Sequence, residues 1–233
     1  MNLIDSLIAD GWLKTPRIIE AFRAIKRIDF LPVEVKEDLS ADLEDLAEIN
    51  EALPIGYNQT ISQPLVVAFM LEMLQPEPGQ KILDIGCGSG YTTALLANIV
   101  SQNNSQFSIS NFQSNSNDQI FKHGKVVGVE IVPELAKFAE KNISKYNFVE
   151  KGIAKIICTD GSKGYSSETS YDRILASASA QNKIPETWKY QLKIGGRIVC
   201  PIKNSIWLFV KKSEDNFEMT EFPGFVFVPL IQK

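Results

Sequence analysis

A short apolar strand, a glycine-rich turn and an apolar helix follow one another without a break in this chain and point to an α/β fold; the plain alternative is a structural loop, where three glycines in five residues also occur. Lys81 to Ile85 (KILDI) reads as a buried strand, Gly86, Gly88 and Gly90 mark the turn, and Tyr91 to Val100 (YTTALLANIV) reads as a helix. Glycine lets the backbone turn tightly and lets a ligand lie against main-chain N–H groups at a helix N-terminus. Such a unit is a cradle for a nucleotide cofactor. The spacing departs from the dinucleotide pattern G-x-G-x-x-G, because the third glycine comes after one residue, and Asp84 stands just ahead of the turn.

A Rossmann-type site also needs a carboxylate at the end of the next strand, to accept from ribose hydroxyls. Lys125 to Glu130 (KVVGVE) supplies it in Glu130, 40 residues after Gly90. The excess length is accounted for by Ser101 to Ile120, where 15 of 20 residues are Ser, Asn or Gln. That segment reads as an inserted surface loop or a disordered stretch. The plain alternative for Glu130 is an exposed strand-end carboxylate.

The chain has 233 residues, 44% of them hydrophobic, enough for a single α/β domain over 1–233 with a helical cap at 1–57. Its net charge of −4 and lack of a basic block argue against nucleic-acid binding. No apolar run is long enough for a membrane span, and the first residues do not read as a secretory signal. Cys87, Cys158 and Cys200 sit in or beside expected buried strands without metal-ligand spacing, so no metal site is expected and a cytoplasmic setting is. His123, the single histidine, lies at the edge of the polar segment, which excludes a Ser-His-Asp triad. A monomer is expected.

Thr15-Pro16 reads as a helix start, with Ile18, Ile19, Phe22 and Ile25 on one face. Glu34 to Glu51 holds eight acidic residues and one base, with Leu39, Leu43, Leu46 and Ile49 spaced for an amphipathic helix. Leu53 to Pro64 shows no clear periodicity, and Pro64 opens a helix to Leu74. Pro133 begins another helix, to about Tyr146. Further strands are expected at Ala154 to Cys158, Tyr171 to Ala176, Arg197 to Pro201, Trp207 to Lys211 and Phe225 to Leu230. The alternation predicts a Rossmann-like, mostly parallel seven-stranded sheet with helices on both faces.

The turn from Asp84 to Gly90 is similar to the first motif of S-adenosylmethionine-dependent methyltransferases, in which the acidic residue faces the ammonium of the methionine part. More of the chain resembles one family of these enzymes, the protein-L-isoaspartate O-methyltransferases. Arg27 to Pro32, Leu53 to Pro64 (LPIGYNQTISQP), Val129 to Leu135, Asp160-Gly161, Gln191 to Arg197 and Phe227 to Leu230 carry the likeness. The departures are the two long polar or acidic stretches and the loop Ser177 to Gln181 (SASAQ), where the family often has Ala-Ala-Ala-Pro.

The resemblance implies methyl transfer from S-adenosylmethionine to the α-carboxyl of L-isoaspartyl residues in damaged proteins, which are then its partners. The ester would collapse to a succinimide, and hydrolysis would return some normal aspartyl. A carboxylate is already ionised at neutral pH, so alignment is most of the catalysis and no histidine base is required. Ser62 is the candidate aligning group by its place before a helix N-terminus and by the resemblance, against the alternative that it only caps that helix. Gln59, Thr60 and Ile61 would line the cofactor beside it. Asp160 is placed to accept from the adenine amine, with the Gly161 backbone against the ring, unless the pair is an ordinary turn. Alternatives are a carboxyl methyltransferase for aspartyl side chains or a small molecule, and a cofactor-binding module that recruits partners.

Overall fold

The computed structural model describes residues 1–33, 43–102 and 124–232. The acidic residues 34–42, most of the polar insertion and His123 lie outside them. Three helices are described in the N-terminal part: α1 (Leu3–Ala9), α2 (Pro16–Ala24) and α3 (Leu43–Ala47). Between the last two, Arg27–Phe30 makes a single 3-10 turn. Pro16 takes the first position of α2, but Thr15 does not cap it with its side chain. Its hydroxyl donates instead to Glu72 Oε2 at 2.7 Å, and Glu72 Oε1 accepts the N–H groups of Lys14 and Thr15 at 2.8 Å.

The segment without periodicity is a hairpin of β1 (Leu53–Gly56) and β2 (Gln59–Ile61). Tyr57 and Asn58 are both left-handed, at φ 55° and 57°, as the two central residues of a tight hairpin turn of matching twist must be. The expected helical cap therefore gives way to a strand before residue 57. α4 (Pro64–Leu74) follows directly.

The main sheet contains β3 (Lys81–Ile85), β4 (Lys125–Glu130), β5 (Ala154–Cys158), β6 (Tyr171–Ala176), β7 (Leu192–Ile202), β8 (Ser205–Lys211) and β9 (Phe217–Pro223). Their order is β5-β4-β3-β6-β7-β8-β9; the first five run parallel and the last two antiparallel. α5 (Tyr91–Ser101) and α6 (Pro133–Ser144) make the crossovers from β3 to β4 and from β4 to β5. The seventh strand is Phe217–Pro223 and not the expected Phe225 to Leu230, which carries only an isolated bridge from Pro229 to Ser179.

Coverage of the two faces is unequal. Ile82, Val126, Leu175 and Val199 point into one large core with residues of α1, α2, α4, α5 and α6. Leu83, Ile85, Val127, Val129, Ile174 and Ile198 point the other way, where the short α7 (Glu186–Gln191) lays Trp188 against them. Trp188 is fully buried, and its indole N–H donates to the Gly161 carbonyl at 2.9 Å. Cys87 and Cys200 are buried as expected, whereas Cys158 is exposed at the end of the edge strand β5.

Candidate cofactor and acceptor site

A cavity of about 370 Å³ opens over the carboxyl ends of β3, β4, β5 and β6. The chain leaves β3 for partners on one side and returns through β6 on the other, so the cavity stands at the topological switch point of the sheet, where open α/β folds hold ligands. Gln59, Thr60, Ile61, Ser62, Gly86, Gly88, Glu130 and Gly161 all line it. The hairpin, the glycine turn and two strand ends thus converge on one space.

Glu130 is the most constrained of these groups. It is buried, and its carboxylate accepts three main-chain N–H groups: Ile131 at 2.8 Å and Val132 at 3.0 Å on Oε1, and Gly88 at 2.9 Å on Oε2. The strand-end carboxylate therefore ties the glycine turn to the start of α6 while remaining on the cavity wall. It is not the exposed group of the plain reading. Gly161 comes close because a Cβ there would lie 2.6 Å from Ile85 Cγ2, so only glycine lets this backbone approach the end of β3.

Three expected site residues do not face the cavity. Asp84 is fully buried behind the turn, where its Oδ2 accepts the hydroxyls of Thr92 at 2.7 Å and Thr93 at 2.6 Å. Its other oxygen, Oδ1, has no partner. Burial, opposed by the two threonine hydrogen bonds and reinforced by Glu130, pushes its carboxyl up to about 6. Gly90 serves helix packing: a Cβ there would meet the Ala139 carbonyl of α6 at 3.1 Å. Asp160 turns its Oδ1 to the Ser162 N–H at 2.9 Å and starts a 3-10 turn with it.

Ser62 precedes α4, whose N-cap is Gln63, and the serine makes no side-chain cap. The cap comes from Asn50, whose Oδ1 accepts the Leu65 N–H at 3.0 Å and whose carbonyl accepts Gln63 Nε2 at 2.9 Å. The backbone of Ser62 is held from behind by the buried Arg27. This guanidinium donates to the carbonyls of Glu51 at 2.6 Å, Ile49 at 3.0 Å, Leu46 at 3.3 Å and Ser62 at 3.5 Å. Burial lowers the Arg27 pKa to about 10.

Some wall residues were not read from the sequence, and others, in the Ser177 to Gln181 loop, were noted there only as a departure from the family. Thr92 and Tyr91 reach the wall from the first turn of α5, and Ser177 and Ala178 from the loop after β6. Val226 to Ile231 close it as an extended segment. Two hydrogen bonds to Ser179, from its N–H to the Val228 carbonyl and from the Leu230 N–H to its carbonyl, hold that segment at 2.8 Å each. Phe69 stacks on Phe225 and meets Phe222 edge-on, anchoring its start. The Cys87 thiol on the wall is raised far above its usual range by burial and by Asp84 and Glu130, so it is no nucleophile.

The sequence model of the protein-L-isoaspartate(D-aspartate) O-methyltransferase family matches residues 1–233. The chain belongs to this family. The protein-L-isoaspartate O-methyltransferases of Methanopyrus kandleri and Staphylothermus marinus are 36% and 35% identical to it over 99% of the chain, covering 90% and 92% of their own lengths. A structure assigned as a protein-L-isoaspartate O-methyltransferase from Plasmodium falciparum, in complex with S-adenosyl-L-homocysteine, superposes with a TM-score of 0.78 at 21% identity over all of both chains. A further protein-L-isoaspartate O-methyltransferase structure gives 0.77 at 24% identity, over 97% of this chain and 64% of that one. The described residues therefore share the fold of these methyltransferase structures, with the seven-stranded sheet at its centre. No helix among the described residues is long and apolar enough to cross a membrane.

Proposed function

We propose that this chain transfers a methyl group from S-adenosylmethionine to the α-carboxyl of L-isoaspartyl residues in damaged proteins. The observation that carries the reading is the convergence of Glu130, the Gly86–Gly88 turn and Ser62 on one cavity. Its volume lies in the range of small-molecule sites. The residues suit the cofactor: Glu130 has acceptor capacity beyond its three N–H partners for ribose hydroxyls, and Gly161 lies on the wall where a flat ring would rest.

When bound, S-adenosylmethionine supplies a methyl group already activated on a sulfonium. What the protein adds is position. Gln59, Thr60 and Ile61 form the wall beside Ser62, and the hairpin turn at Tyr57-Asn58 sets their register. The Ser62 hydroxyl donates to the acceptor carboxylate and orients one oxygen without neutralising it. Arg27 fixes the Ser62 main chain, and Asn50 takes over the helix cap, so the hydroxyl is left to the cavity. The Val226 to Ile231 segment covers the site and limits water. Alignment of this kind can be worth roughly 7–11 kcal/mol. Asp84 acts from behind the wall, holding the first turn of α5 through Thr92 and Thr93.

The protein partners are then isoaspartyl-containing chains. All three cysteines are free, which suits a reducing cytoplasm. The test is methylation of two peptides that differ only in one isoaspartyl or aspartyl linkage, scored as base-labile methyl ester. Ester on the isoaspartyl peptide alone supports the reading; equal ester on both, or none, refutes it.

A further inference from the structure

The loop after β6 carries two serines, Ser177 and Ser179, with opposite surroundings. Ser179 is buried, and its hydroxyl donates to the carbonyls of Ala180 at 3.3 Å and Lys203 at 3.4 Å. That hydroxyl is spent on the loop. Ser177 is half-buried and lines the cavity. Its main-chain N–H donates to the Ile85 carbonyl at 2.9 Å, while its own hydroxyl has no partner among the described residues.

Position and chemistry both bear on this free hydroxyl. The bond to Ile85 fixes Ser177 between the ends of β3 and β6, at the switch point of the sheet. Its neighbour Ala178 faces the glycine turn, 3.4 Å from where a Cβ on Gly86 would stand. Among the described residues no Lys or Arg lines the cavity, and its one carboxylate, Glu130, is turned to main-chain donors. A carboxylate entering this space must therefore be held by neutral donors: hydroxyls, main-chain N–H groups and the side-chain amides of Gln59 and Gln63. This suits a carboxylate that has to attack: a paired cation would lower its nucleophilicity, whereas a hydroxyl donates one hydrogen bond and leaves the charge.

We infer that Ser177 is a second hydroxyl donor for the acceptor carboxylate, acting with Ser62. The inference rests on the methyl-transfer reading above. The cofactor's amino-acid part carries a carboxylate too, so the two sources have to be told apart by measurement.

The experiment compares the wild type with Ser177→Ala and with Ser179→Ala as control. For each protein, kcat and KM for an isoaspartyl peptide, the Kd for S-adenosylmethionine and the Tm are measured. Loss of one hydrogen bond to a charged group should lower kcat/KM for the peptide roughly 10-fold in Ser177→Ala. Cofactor affinity and Tm should stay as in the wild type. Ser179→Ala should lower Tm and change peptide kinetics much less than Ser177→Ala does. Unchanged peptide kinetics in Ser177→Ala would overturn the inference. So would a loss confined to cofactor affinity, or an equal kinetic loss in Ser179→Ala, which would mark a general loosening of the loop. Failure of the wild type to methylate the peptide would overturn the proposed function and this inference together; any of the other results overturns the inference alone.

Discussion

Asn50 caps the helix that Ser62 precedes: its Oδ1 accepts the Leu65 N–H at 3.0 Å, and the serine hydroxyl is left without a capping task. In the proposed function, the two roles that compete for a serine before a helix, cap and active group, fall to two residues 12 positions apart. Removing a capping side chain costs about 0.5–2 kcal/mol. Asn50→Ala should therefore lower the unfolding free energy by that amount, read by urea titration. Ser62→Ala should leave it unchanged. A larger loss in Ser62→Ala than in Asn50→Ala would reverse the assignment of the cap.

Glu130 joins the cofactor wall to the glycine turn. In Glu130→Ala the N–H groups of Gly88, Ile131 and Val132 lose their acceptor, and the ribose loses its own. Hydrogen bonds to a charged group contribute about 1.5–3 kcal/mol, so affinity for S-adenosylmethionine should fall roughly 10- to 100-fold. Calorimetry on the folded variant, with a thermal melt alongside, measures this. Unchanged affinity would take Glu130 out of the site.

Asp84 makes stability depend on pH in an unusual direction. Its carboxyl is raised from 3.8 to about 6, mainly by burial. The folded state thus holds this proton more tightly than the unfolded chain does. The resulting stabilisation is complete below the unfolded value and is lost as pH rises through the folded one. A shift of about two pH units is worth about 3 kcal/mol. In Asp84→Asn this titration is absent. Unfolding by urea at about pH 4 and about pH 7 should show the wild type losing ground to the variant on going to the higher pH. A difference that does not change with pH would place the Asp84 carboxyl in its ordinary range.

The two ends of the polar insertion meet at one carbonyl. Val100 O accepts the Gly124 N–H at 3.2 Å and the Gly79 N–H at 3.0 Å, just where α5 ends and β4 begins. A short linker can therefore span 102 to 124, and loop length by itself changes closure entropy little. Replacing residues 103–123 with a Gly/Ser turn should preserve the melting temperature and cofactor affinity. Loss of peptide turnover with the cofactor still bound would assign the insertion a role in catalysis.

The unit from β3 through α5 to β4 was legible because each part is a contiguous apolar run broken at glycine or charge. Other parts were not, for identifiable reasons. Phe217–Pro223 is an edge strand with mostly exposed side chains, so it carries no apolar alternation. Phe225 to Leu230 has a strand's composition, yet it crosses the ends of the sheet and bonds only to the loops at Asn204 and Ser179. Glu186–Gln191 is too short to show a helical period, although it holds Trp188. The sequence also places Asp84 beside the glycine turn without indicating that Thr92 and Thr93 draw its carboxylate inward, away from the cavity. Glu130 and Ser62 were readable from spacing and resemblance, but the partners that position them, Gly88, Asn50 and Arg27, are set by tertiary packing alone.

The most direct test of the account is the turnover of an isoaspartyl peptide by Ser62→Ala at saturating cofactor. If the hydroxyl aligns the acceptor, kcat/KM for the peptide should fall by roughly one to two orders of magnitude, the worth of one hydrogen bond to a charged group. The Kd for S-adenosylmethionine and the melting temperature should stay close to wild type, because the lost contact is to the acceptor and the helix cap belongs to Asn50. Wild-type turnover in a folded Ser62→Ala protein would contradict the account.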